Sequence, residues 1–377
     1  THNIENSKNT LTALMMKVQD QAARSADFLT PTNDLQKTTT LDGKPQVVIE
    51  ANRGVPTKRF DINDTAFGQI ATHAGIDTRT ARRLQSNYPR EFDTLTNAIW
   101  QKEPARRMLR THLDTRYGSE TDGTARAFVS DKFKTFDNVN LLEACLPQLI
   151  DNPAQFQVVS ADVSEKRMYL RLKSLEQLGT GANVGDHMAN GIGFGNSEVG
   201  AGSVTVYQIA WTLACLNGMQ TQNKTRSSHI TSARDGDDWG LLSDDAKNAD
   251  NRALELKLRD LVGHYSSRET FDDICQQMRA AAADVIEGEA TDVTDVVNNL
   301  GRVMQLTKKE NSDVLNGLMA TIGQAGYENS RPLSRATLVN AVTAVSHRAD
   351  IDDVDTWQQR GGQLLNMSAR DWQRVAA

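Results

Sequence analysis

Residues 166–174 read KRMYLRLKS, and the choice of fold turns on them. Met168, Leu170 and Leu172 alternate with Arg167, Tyr169, Arg171 and Lys173, the two-residue period of a β-strand with one apolar and one polar face. Working outward, QFQVVSADVSEKRMYLRLKS (155–174) reads as a β-hairpin that ends on this strand. Upstream, RAFVSDK (126–132) keeps the same beat, with Arg126, Phe128, Ser130 and Lys132 on one side, and NVNLLEACLPQLI (138–150) reads as a short helix.

Downstream lies GIGFGNSEVGAGSVTV (191–206), which runs into a strongly apolar strand or helix, SVTVYQIAWTLACLNGMQ (203–220). The glycines do not make a Walker loop, since no lysine occurs between Lys173 and Lys224, and their spacing is not that of GxGxxG. Gly191, Gly193 and Gly195 alternate, and alternating glycines leave one strand face bare. Another segment of the chain or a ligand backbone must approach that face, and close packing is the preferred expectation.

Residues 60–115 read as helical. Gly75 ends a first helix, Asp77 or Thr78 caps a second, and Arg106, Arg107 and Arg110 fall on one helical surface. Ala71 and Gly75 have the spacing of a helix-turn-helix, which would put Arg79, Arg82 and Arg83 on its second helix. Residues 1–51 read as a flexible amino-terminal arm, although Leu11, Leu14, Met15 and Val18 form a helical stripe within it. SARDGDDWGLLSDD (232–245) marks a boundary, and mostly helices follow. The expected fold class is α+β: a small antiparallel sheet with flanking helices, then a mainly helical C-terminal part. The expected divisions are an arm at 1–51, an α+β nucleic-acid-binding core at 52–235 and an acidic helical region at 236–377.

The net charge of −6 is unevenly spread. Residues 1–234 hold 27 basic and 24 acidic side chains, residues 235–377 hold 15 and 24, and residues 52–135 alone hold 15 and 10. That distribution suits a polyanion-facing first part and an acidic, solvated second part. Cys145, Cys215 and Cys275 lie far apart without a CxxC pair, as expected of buried thiols in a reducing compartment. The seven histidines are dispersed, with no HExxH, and there is no GxSxG elbow. No apolar run reaches the ~20 residues that span a bilayer, so a cytoplasmic protein without membrane contact is expected.

The strand faces carry the functional expectation. Cations interleaved with rings are what single-stranded nucleic acid requires, the cations for phosphates and the rings for bases that stack at ~1–3 kcal/mol each. The order of RAFVSDKFKTFDNVNLLEA, EKRMYLRLKS and FGNSEVGAGSVTVYQIAWTLACLNGM resembles the phage/plasmid-like protein family catalogued as domain of unknown function nine-three-two. Asn196, Ser197, Glu198, Gly200, Ser203, Cys215, Asn217 and Gly218 carry the likeness, which runs from about Phe67 to Leu365. The chain departs from that pattern at Lys132-Phe133, where the family has Arg-Tyr, and at Leu216. The resemblance implies a phage or plasmid product, by analogy a single-strand annealing protein of the Red beta, Erf or Rad type. Such proteins have a β-β-β-α core, which residues 126–219 could supply, and assemble into rings or filaments.

The expected function is therefore non-catalytic binding and annealing of single-stranded DNA in homologous recombination, by a homo-oligomer that needs no cofactor. Arg106, Arg107, Arg110, Arg126, Lys132, Arg167, Arg171 and Lys173 would contact phosphates, and Phe128 and Tyr169 would stack on bases. Asn196 and Glu198 would fix the glycine-rich turn. The acidic helices would recruit a host replication or recombination protein. The alternatives are a helix-turn-helix regulator of duplex DNA and a phage structural or host-interaction protein.

Overall fold

A computed structural model describes residues 2–50, 56–116, 118–150, 152, 155–181, 187–213, 217–227, 242–286, 293–322 and 333–376. The proposed boundary near 235 and Cys215 lie outside them. The first half of the chain folds in the order α1 (His2–Arg24), β1 (Ser25–Pro31), β2 (Leu35–Thr39), β3 (Pro45–Ile49), β4 (Lys58–Ile62), α2 (Asp64–His73), α3 (Thr78–Asn87), α4 (Pro89–Lys102), β5 (Arg106–Leu113) and β6 (Gly123–Ser130). There follow α5 (Asn138–Cys145), α6 (Pro147–Ile150), β7 (Phe156–Val163), β8 (Met168–Thr180), β9 (His187–Asn196), β10 (Val204–Thr212) and β11 (Asn217–Ser227). The chain then continues through α7 (Asp244–Tyr265), α8 (Arg268–Ala283), α9 (Val293–Val303), α10 (Lys308–Ile322), α11 (Arg335–Ala344), α12 (Ile351–Leu365) and α13 (Ala369–Ala376). The class is α+β with a helical C-terminal part, built on two sheets.

The first sheet has six strands in the order β1-β5-β6-β4-β3-β2, and only β4 and β6 run parallel. Helices α2 to α4, inserted between β4 and β5, cover one face with Phe67, Ile70, Phe92 and Trp100 against Phe60, Leu109 and Phe128. Asn63 caps α2 by accepting from Ala66 N–H, and Asp77, one of the two candidates in the sequence, caps α3 by accepting from Thr80 N–H. Gly75 takes the left-handed φ of +72° that ends α2.

Two expectations fail here. Residues 1–51 are not an arm, because β1, β2 and β3 are strands of this sheet and α1 buries Leu14 and Val18. Residues 106–113 are a strand, not a helix, because β1 and β6 supply backbone partners on both sides. The three arginines therefore do not share one surface. Arg107 and Arg110 point to opposite faces of the sheet, since an odd separation does so in a strand.

The second sheet is an antiparallel meander of five strands, β11-β10-β9-β8-β7. Residues 204–212 extend as β10 where an apolar helix would complete a β-β-β-α core, so that arrangement is absent from this segment. One face packs Met168, Leu170, Leu172, Ile192 and Phe194 against α1, α5 and α7. On the other face the bare glycines of β9 are covered from within the sheet. A Cβ at Gly193 would overlap the Tyr207 ring, and one at Gly191 would overlap Trp211, whose Nε1–H reaches past it to donate to Leu172 O at 3.0 Å. Close packing thus accounts for the GxGxG alternation. Helices α8 to α13 form a further core with Met188, Ala210 and Met219 of this sheet. No helix among the described residues is long and apolar enough to cross a membrane.

Candidate functional site

Alternation in β8 is as read, but its polar face is not open. Arg171 is 2% exposed and donates to Asp355 of α12 at 2.7 Å, while its guanidinium lies 4.9 Å from the Tyr169 ring centroid. Burial alone would lower the Arg171 pKa, but Tyr207 and Asp355 beside it leave it raised. Tyr169 is itself buried, and its hydroxyl accepts from Arg167 Nη1 at 3.3 Å, so it supports an arginine where a base was expected to stack. Lys173 is half-buried at a register position across from Gly191.

The first sheet corrects the reading in the same way. Arg110 is 1% exposed, binds Asp27 and Asp137, and donates to Glu198 O at 2.7 Å. Burial works against its charge, but Asp137 and Asp27 more than offset this and raise its pKa. Arg126 is buried against Glu198. Phe128 is 3% exposed and stacks on Trp100 with centroids 5.7 Å apart. Arg106 is exposed at the start of β5. Arg110, Arg126, Arg171, Tyr169 and Phe128 therefore cannot serve as an exposed nucleic-acid surface. A desolvated guanidinium persists only with a carboxylate beside it, and these have theirs.

Four of the ten expected residues do meet, three cations and the ring of Phe128. Arg107, Lys132 and Arg167 line a groove of about 1010 Å³, floored in part by Phe128 and Phe133. Its walls are α2 with the start of α3, the end of β6, the β7–β8 turn, and residues 200–203 of the glycine-rich stretch. Arg82 and Lys166, both exposed, complete five cations against a single lining carboxylate, Asp64, which pairs with Arg82 at 2.7 Å. Arg107 Nη2 donates to His73 Nδ1 at 2.8 Å. Burial and the Arg107 charge lower the His73 pKa, which leaves the ring neutral and able to accept that bond. A second cleft of about 660 Å³ lies beyond Lys166 and Arg167. It is lined by six cations and five carboxylates, several already paired with each other, so it has little net attraction for an anion.

The groove wall is held rigidly by the loop between β9 and β10. Asn196 Nδ2 donates to Phe136 O, Ser197 Oγ donates to Lys166 O, and Glu198 accepts from Asn138 N–H and from Arg126. Gln69 donates to Val199 O and accepts from Phe128 N–H, which ties the loop to α2 and β6. Asn196 and Glu198 do bond backbone, as expected, but that of 136–138 across the layer boundary. Gly200 has φ +78°, the left-handed region a side chain resists.

Sequence reasoning missed Lys166 and His73 as neighbours of this groove. Lys166 could have been found, because it sits in the tight SEKR turn of the hairpin; nothing local marks His73. Among the described residues there is no cluster of three His, Cys, Asp or Glu that could hold a metal ion. No family model matches the chain, and neither a curated protein nor a solved structure matches it.

Proposed function

We propose that the chain binds a single strand of nucleic acid through its phosphates in this groove. The observation that carries the reading is the convergence of Arg82, Arg107, Lys132, Lys166 and Arg167, from segments remote in sequence, around one concavity with one carboxylate. Its volume is at the upper end of small-ligand sites, which run to about 1,000 Å³, and its cationic lining is unlike their mostly apolar walls. A flexible strand can follow a concave wall, and cations along it release condensed counterions.

The proposal is narrower than annealing. Annealing needs bases presented in order, and of the two rings expected to do that, Tyr169 is buried and Phe128, at the groove floor, is only 3% exposed and already stacked on Trp100. A duplex-binding reading keeps one specific support: α2, the Gly75 turn and α3 form a helix-turn-helix with Ala71 and Ala81 buried and Arg79, Arg82 and Arg83 exposed.

Titration of labelled single-stranded and duplex oligonucleotides at several salt concentrations separates the two. The groove reading expects single-strand binding whose log affinity falls with log salt at about −0.7 per phosphate contacted. A K132A/K166A double variant should weaken it and flatten that slope. Duplex preference, abolished by R79A/R83A and untouched by the groove variant, would transfer the function to α3. Binding to neither ends the proposal.

A further inference from the structure

The groove cations are not equivalent. Lys166 and Arg82 are exposed, whereas the Arg167 guanidinium is held in one pose. Its Nε–H donates to Ala201 O at 2.9 Å, Nη2 donates to the same oxygen, and Nη1 donates to Tyr169 Oη at 3.3 Å. Those bonds use three of the five N–H groups a guanidinium carries, and two remain. The acceptor is itself fixed, because Ala201 N–H donates to Ser197 Oγ at 2.8 Å and Ser197 Oγ donates to Lys166 O. The arginine and the loop that holds it are thus braced against each other through the β7–β8 turn.

Gly202 makes the pose possible. A Cβ at Gly202 would lie 2.8 Å from Arg167 Nε and 2.9 Å from Cζ and Nη2. The guanidinium lies flat on the glycine, where any other side chain would push it away from Ala201 O. Both Arg167 and Gly202 line the groove.

We infer that Gly202 is a positioning residue that builds a discrete subsite for one phosphate at Arg167, so that the groove takes a phosphodiester at a defined place and not merely an anionic polymer at any register. The inference rests on the groove binding nucleic acid. A planar fork with two donors left over is suited to phosphate oxygens, and a preset pose loses little freedom on binding. The Gly202→Ala substitution tests it without changing the charge. The clash is with the far end of a flexible side chain, so the fold should persist, which circular dichroism and thermal melting would verify.

Single-strand titrations of wild type, G202A, R167A and the G202A/R167A pair form the experiment, with R167K as a fifth protein. The expected result is a loss of about tenfold in affinity for G202A, a similar loss for R167K, and no further loss when G202A is added to R167A. The salt slope should shrink by about 0.7, the share of one phosphate. If G202A binds as wild type does while K132A/K166A is impaired, the subsite is overturned and the groove reading stands. A G202A loss that persists in the R167A background also overturns it, because the glycine would then act through something other than Arg167. Failure of the wild type to bind overturns the subsite and the groove reading together.

Discussion

Arg171 of β8 and Asp355 of α12 meet at 2.7 Å across 184 residues, 2% and 9% exposed respectively. The same carboxylate oxygen accepts from Tyr207 Oη at 2.8 Å and from Gln220 Nε2 at 2.9 Å, so one atom ties three strands to a helix. Removing it leaves a buried cation without a counter-ion. Asp355→Ala is expected to lower unfolding free energy by about 3–5 kcal/mol, read from urea denaturation. The double variant R171M/D355L, with neither charge, should recover the share of that loss owed to the unpaired cation, while Tyr207 and Gln220 still lack this acceptor; if it is as damaged as D355A, the pair is not the cause.

A fragment ending at residue 235 should fail to fold cooperatively. It lacks the helices that pair with Arg171 and pack on Met188, Ala210 and Met219. A sharp calorimetric transition from such a fragment would show that the sheets stand without the helical part.

Three glycines should respond to alanine in different ways. At Gly193 the Cβ meets a fully buried Tyr207 ring whose hydroxyl is pinned to Asp355, so the neighbour cannot yield. Gly193→Ala is expected to destabilise by about 1–3 kcal/mol. Gly263, inside α7, has nothing within 4 Å and no left-handed φ, so Gly263→Ala should stabilise by roughly 0.4–1 kcal/mol. Gly202→Ala should leave the melting temperature near that of the wild type. Thermal melts of the three variants check this order.

Stability should fall with acid in a window set by two histidines. Burial, then the charges of Arg126, Arg24 and Arg110, pushes His112 down to about 4, and burial with Arg107 lowers His73. A lowered histidine means that the unfolded chain takes up protons first. The stabilising contribution is complete above the ordinary value of about 6.5 and is lost as pH falls toward 4. Melting temperature should drop between pH 7 and pH 5, and His112→Gln should make that drop shallower. An equally steep drop in the variant would assign the effect elsewhere.

Period was legible in the sequence, and the surroundings of each face were not. The alternation of KRMYLRLKS placed Met168, Leu170 and Leu172 correctly on one side. A polar face implies solvent only if nothing charged covers it, and Asp355 lies 184 residues away. RRMLRTHL has arginines at spacings that suit a helical surface as well as a strand, and only the neighbours β1 and β6 decide between them. The Gly75 turn and its caps were legible because turn chemistry is local. Of the groove, Arg107, Phe128, Lys132 and Arg167 were named beforehand, but Arg107 on a helical surface and the others on strand faces, not in a concavity between layers. The bare glycines of β9 were correctly seen to require a close neighbour, and the neighbour proved to be rings four strand positions apart on β10.

The buried guanidiniums also set a timetable. Arg110 finds its partners 83 residues before it and 27 and 88 residues after it, and Arg171 must wait for a carboxylate 184 residues downstream. On a ribosome adding ~5–20 residues per second, that second wait lasts roughly 10–40 s. Until Asp355 emerges, Arg171 lacks the carboxylate that neutralises it in the folded protein. Nascent chains stalled before that point should be cut by protease within β8, and chains stalled beyond α12 should resist. The order of synthesis thus leaves the longest-range of these charge pairs open until most of the chain has been made.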